Sequence, residues 1–196
     1  MNEGATTLEP QVLPQPNRLY TYDELVAEFP ESNQPCELWD GEIILSPSPS
    51  FDHQEIVLRF YRRLHAWVSD HKLGKVTTAP MDMVLSPHRV VQPDVAFIAQ
   101  ARLGIIGRVL NGPADLVAEV ISLGRRNRDR IEKRDLYEQY GVKEYWIVDP
   151  EAQTVEVLSL ESGRYRLHMR SAGDQIASSR LLSGFEMKAA EVFFGP

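Results

Sequence analysis

Hydrophobic positions along this chain follow two periods. Between Asp52 and Lys72, Ile56, Phe60, Leu64 and Trp67 fall at spacings of four, four and three, with Arg59, Arg62 and Arg63 between them. That spacing predicts a helix with one apolar face, and Gly74 follows as its stop. Upstream, Thr21 is placed to cap a short helix over Tyr22–Phe29, with Asp23 and Glu24 in its first turn and Pro30 after its end. Cys36–Leu45 predicts a hairpin that turns at Gly41, and Ser46–Ser50 (SPSPS) a rigid polar loop. Strands are expected at 75–85 (KVTTAPMDMVL), 92–99 (QPDVAFIA) and 115–121 (DLVAEVI). The last of these is apolar on both faces except for Glu119, the pattern of a central strand covered on both sides. A second helix is expected over 127–140, ended by Gly141 as a C-cap glycine, and then a strand EYWIVD closed by Asp149-Pro150. Further strands at 154–160, 164–170 and 175–180 suggest an antiparallel extension. Residues 1–18, with Pro10, Pro14 and Pro16 among polar neighbours, are expected to form a flexible tail, and residues 19–196 a single domain.

The order helix, hairpin, helix, three strands, helix, strand predicts an α/β (α+β) fold: a mixed central sheet flanked by helices, with antiparallel strands at the C-terminal end. It lacks the strict alternation of a doubly wound fold, and repeats and heptads are absent. Composition agrees with a soluble globular chain, at 43% hydrophobic and 25% charged residues. No stretch approaches the roughly 18 to 20 apolar residues needed to cross a bilayer. The first residues lack the basic start and apolar run of a secretory signal, so the cytoplasm is the expected compartment. Cys36 is the single cysteine, which excludes an internal disulfide and a cysteine-built zinc site. A formal charge of −7 disfavours a protein that coats nucleic acid indiscriminately, but allows a local basic groove.

Two carboxylates stand out. Asp94 follows Pro93 at the start of a predicted strand, and Glu119 lies within the most apolar one. A buried carboxylate must be protonated, paired with a cation or bound to a metal. If the two strands are neighbours, both acids converge on one point, and an all-oxygen site of that kind suits Mg²⁺ or Mn²⁺. A glutamate paired with an arginine across the sheet is the alternative. On the 127–140 helix, Lys133 shares a side with Asp129, Leu136, Tyr137 and Tyr140, so it lies along the stripe that faces the sheet. There it is placed to stabilise an attacking hydroxide or charge developing on a phosphate; otherwise it forms an i,i+4 ion pair with Asp129. Arg125, Arg126, Arg128, Arg130, Lys133 and Arg134 stand against Asp129 and Glu132, a local balance of +4. Phosphate contact and an ordinary solvated helix face both account for it.

The ordered segments ELWDGEIILSPSP, DHQEIVLRFYRRL, QPDVAFI, GPADLVAEVIS and DRIEKRDLYEQYGVKEYWIVDP resemble the Uma-type "putative restriction endonuclease" family of the PD-(D/E)XK nuclease-like superfamily, from about Tyr20 to Leu158. The resemblance implies that Asp94 fills the PD aspartate and Glu119 the first position of (D/E)-x-K. The motif's lysine position holds Ile121 here, and the resemblance implies that Lys133 takes the role from the following helix. It further implies Glu37 as the acid of the opening element, with Glu42, His53 and Glu55 behind it. The metal would then be held by Asp94, Glu119 and the carbonyl of Val120. A helix-cap role is expected for His53. The function implied is Mg²⁺- or Mn²⁺-dependent endonucleolytic hydrolysis of DNA, with Arg125, Arg126, Arg128 and Arg130 on the backbone. The alternative is a non-catalytic scaffold that keeps the nuclease fold. A homodimer is expected from the open edge of the C-terminal strands.

Overall fold

The computed structural model describes residue 15 and residues 17–29, 35–122 and 131–194. In chain order these form α1 (Tyr22–Glu28), β1 (Cys36–Trp39), β2 (Glu42–Leu45), α2 (Phe51–Asp70), β3 (Gly74–Thr78), β4 (Met83–Ser86), β5 (Arg89–Val91) and β6 (Val95–Ala99). After a 3-10 turn over Gln100–Ile105 come β7 (Leu110–Asn111), β8 (Leu116–Val120), α3 (Lys133–Gln139), β9 (Glu144–Asp149), β10 (Thr154–Glu161), β11 (Arg164–Ala172), β12 (Ile176–Ser178), β13 (Glu186–Lys188) and α4 (Ala189–Phe194).

A six-stranded mixed sheet, ordered β11-β10-β9-β8-β6-β3, forms the centre. Only its β8–β9 pair is parallel; the other neighbours run antiparallel. A second sheet, β2-β1-β5-β4-β7, lies alongside. Residues of β8 alternate between two cores, as the pleat demands. Leu116, Ala118 and Val120 join the core under α2, with Phe60, Leu64 and Trp146. Val117 and Ile121 join the opposite core, with Met83, Leu110, Leu136 and Tyr137. Glu119 has the parity of the second set, so it projects toward α3 and the second sheet. The sequence reading of a central strand covered on both faces holds.

Local chemistry accounts for most of the boundaries. Thr21 caps α1 in a capping box with Glu24. Asp40 and Gly41 both adopt positive φ, the turn that lets β1 and β2 pair closely. The C-terminal glycine of α3 is at φ 77°, and the Val142 amide donates to the Tyr137 carbonyl at 3.0 Å to close the last turn.

Several expectations are corrected. The run 75–85 is two strands on different sheets, because Pro80 cannot donate to a ladder and the chain turns there. Gly74 does not stop α2. The helix ends at Asp70, Lys72 takes the left-handed conformation, and Gly74 opens β3 so close to Ile98 that a side chain there would meet its carbonyl oxygen. The strand expected from residue 92 begins at Val95, with Asp94 in the bend before it. The first part of the helix expected over 127–140 lies outside the described residues, as do Asp129, Arg125, Arg126, Arg128 and Arg130.

Candidate active site

The site is built where β6 and β8 meet. Their register pairs Val95 with Ala118 and Ala96 with Val117, so Asp94, in the bend before β6, and Glu119, next after Ala118, both lie just past the last pair, at one end of the β6–β8 ladder. The Val120 amide donates to Asp94 Oδ2 at 2.8 Å, fixing that carboxylate against the end of β8.

Glu119 is 3% exposed and Lys133 7%. Lys133 Nζ lies 2.9 Å from Glu119 Oε1 and 3.4 Å from Glu37 Oε1. The same Glu119 oxygen accepts from Tyr137 Oη at 2.5 Å. Burial first, then the nearby Glu119 charge, raises the Tyr137 phenol well above its ordinary value, so it remains a proton donor. Glu37 comes from β1 of the second sheet and also accepts from the Gln92 amide at 3.2 Å and from Trp39 Nε1 at 3.1 Å. Lys133 thus joins the two sheets through a carboxylate from each. The expectation that it faces the sheet is met. Its partners include these two acids, and the Asp129 alternative falls outside the described residues.

His53 corrects the sequence reading. It does not cap α2: Ser50 does, with its hydroxyl accepting the His53 amide at 3.2 Å. The imidazole is carried over the end of β8, with Nε2 at 3.2 Å from the Val120 carbonyl oxygen and 3.3 Å from Asp94 Oδ2. Both are acceptors, so Nε2 carries the hydrogen. Burial opposes protonation of His53, but the hydrogen bond and charge of Asp94, the Val120 carbonyl and the Glu119 charge outweigh it and raise its pKa. Nδ1 is buried without a hydrogen-bond partner among the described residues. Of the remaining candidates, Glu55 forms an i,i+4 ion pair with Arg59 on α2, and Glu42 lies exposed on β2. Neither reaches the site.

Among the described residues no group of three or more His, Cys, Asp or Glu side chains is arranged to hold a metal ion. The available donors combine side chains with a main-chain carbonyl. The sequence from residue 21 to 190 matches the family Uma2, described as "Putative restriction endonuclease".

The chain belongs to the Uma2 family.

A crystal structure of a "putative nuclease belonging to DUF820" from Anabaena variabilis shares the fold, with a TM-score of 0.76 at 18% identity over 88% of this chain and 97% of that one. No curated protein matches. In this Uma2 chain the geometry accounts for Ile121 standing two residues after Glu119, where the resemblance in the sequence implies a lysine. Ile121, at the lysine position, projects to the same face as Glu119 and is buried in the α3 core. Lys133 delivers its amine to that face from α3. Sequence reasoning alone does not find two residues bonded into this cluster. Tyr137 was read as core packing, yet its hydroxyl is bound to Glu119. Gln92, two residues before Asp94, links Glu37 to Asp82 through its amide and side chain.

Proposed function

We propose that this chain is a metal-dependent endonuclease that hydrolyses phosphodiester bonds in DNA. The observation that carries the reading is the placement of Lys133 on Glu119 at 2.9 Å, with the Asp94 carboxylate held by the Val120 amide at the end of the same strand. Restriction endonuclease-like families generally use divalent metal ions. The residues here fit one: Asp94, Glu119 and the Val120 carbonyl are hard oxygen donors at one end of the sheet, suited to Mg²⁺ or Mn²⁺. When bound, such an ion polarises a phosphoryl oxygen and lowers the pKa of a coordinated water. Lys133, beside two carboxylates, orients the attacking water and stabilises charge that develops on the phosphate. Glu37 positions Lys133, while Tyr137 and Lys133 together fix the Glu119 carboxylate. Hydrolysis forms a new P–O bond from water and breaks one P–O bond, with the departing oxygen taking up a proton. Arg125, Arg126, Arg128 and Arg130 would contact the backbone phosphates.

Supercoiled plasmid incubated with Mg²⁺ or Mn²⁺ tests this reading. Wild type should nick or linearise it, and Asp94→Ala and Lys133→Ala should each reduce the rate by at least about a hundredfold. Cleavage that survives both substitutions would place the chemistry elsewhere.

A second reading is a scaffold that keeps the fold without catalysis. It is favoured by one observation: Glu119 Oε1 already accepts from both Lys133 and Tyr137. Absence of both plasmid cleavage and calorimetric heat at millimolar Mn²⁺ would support it.

A further inference from the structure

We propose that His53 is an inner-sphere nitrogen ligand of the metal, making the site a mixed nitrogen and oxygen centre that prefers Mn²⁺ to Mg²⁺. This rests on the reading of the Asp94 site as a metal centre. Nothing in the packing of α2 requires an imidazole here. Ser50 caps the helix, and Ile56, Val57, Phe60 and Leu64 supply its apolar face. Burying an imidazole whose Nδ1 has no partner among the described residues is costly, and an apolar side chain would avoid that cost.

The ring instead sits on the two groups best placed to bind a cation. Nε2 is 3.2 Å from the Val120 carbonyl oxygen and 3.3 Å from Asp94 Oδ2. Ligands held at ~2.1 Å from one ion at right angles lie about 3 Å apart, so these are the separations of neighbouring ligands in one coordination sphere. Nε2 faces both oxygens at once, the direction from which a cation shared with them would be held. Glu119 Oε1 is meanwhile held by Lys133 and Tyr137, so an added donor from α2 strengthens a set otherwise short of side chains. An imidazole among carboxylate and carbonyl ligands selects for first-row transition metals, and Mn²⁺ gains more from it than Mg²⁺.

The full chain loaded with Mn²⁺ should show ¹⁴N hyperfine coupling by pulsed EPR. The coupling should vanish in His53→Ala and His53→Gln. Titration calorimetry should show Mn²⁺ affinity falling about tenfold or more in both variants, since even outer-shell partners are worth that much. Mg²⁺ affinity should fall less. Far-UV circular dichroism checks that the variants fold, and a wild-type spectrum without the coupling overturns the inference even where they do not. If Mn²⁺ binds wild type and binding is lost in Asp94→Ala, yet no ¹⁴N coupling is seen, His53 is not a ligand and the proposed nuclease site stands. If the coupling persists in His53→Ala, the nitrogen is another residue's and the inference fails. If wild type binds no Mn²⁺, this inference and the metal site fall together.

Discussion

Lys133 is the residue on which most of the site depends, because its ammonium lies between Glu119 and Glu37 with all three side chains nearly out of solvent. Replacing it with methionine removes the ammonium that two buried carboxylates share. Breaking a buried ionic cluster from one side costs about 3–5 kcal/mol, so Lys133→Met should lose that much in urea unfolding. Adding Glu119→Gln removes one of those two carboxylates, and the double variant should be less destabilised than the sum of the two single ones. Additive losses would mean that the contact is not energetically coupled. The Glu119–Lys133 contact was legible in the sequence, because a charged residue in an apolar pattern is forced by burial to find a partner. The place of the Tyr137 hydroxyl was not, and His53 stood only as a secondary candidate behind its reading as a cap. A histidine near a helix start has a bland use as a cap, and a tyrosine in a core stripe has a bland use as packing. Only the coordinates show the imidazole reaching Val120 and the phenol reaching Glu119.

Among the elements, α2, β8 and β9 were legible from sequence, the first by a regular apolar face and the other two by largely apolar runs. The short pieces were not. β5 and β7 have three and two residues, and neither period can be established over so few positions. Their partners are distant in sequence, so tertiary pairing rather than local pattern makes them strands. Asp115, just before β8, shows how such junctions are fixed. Its side chain is fully buried and forms ion pairs with Lys143 before β9 at 2.8 Å and with Arg102 of the 3-10 turn at 3.1 Å. It also accepts the Ala99 amide at 2.9 Å. Burial works against its ionisation, but Lys143, the Ala99 amide and Arg102 outweigh it and hold the Asp115 carboxyl below its ordinary value. A lowered folded-state pKa contributes stability that is present above the unfolded value of about 3.9 and is lost as pH falls through the folded one. The stability difference between wild type and Asp115→Asn should therefore be constant near neutrality and shrink below about pH 4. A difference independent of pH down to pH 2 would rule out this electrostatic role.

At the scale of the whole molecule, charge is distributed unevenly. The chain carries −7 overall, yet the segment 125–134 is locally basic and leads into α3, which brings Lys133 to Glu119. If Arg125, Arg126, Arg128 and Arg130 hold phosphates, DNA affinity should depend on salt, with the slope of log K against log salt reduced by about 0.9 for each contact removed. Fluorescence anisotropy on catalytically inactive Asp94→Ala, with and without alanine at those four positions, would read it. An unchanged slope would remove them from the interface. The expected open sheet edge exists as β11, but it carries Arg164, Arg166 and Arg170, and arginines along an edge strand oppose its pairing with another copy. Among the described residues no helix is long and apolar enough to cross a membrane.

A crystal soaked in Mn²⁺ and measured at the manganese absorption edge tests the central claim most directly. The account predicts an anomalous peak at ~2.2 Å from the carboxylates of Asp94 and Glu119 and from the Val120 carbonyl oxygen, with Lys133 still on Glu119. Soaking at a concentration that supports cleavage without producing a peak there, or a sole peak remote from Asp94, would contradict it.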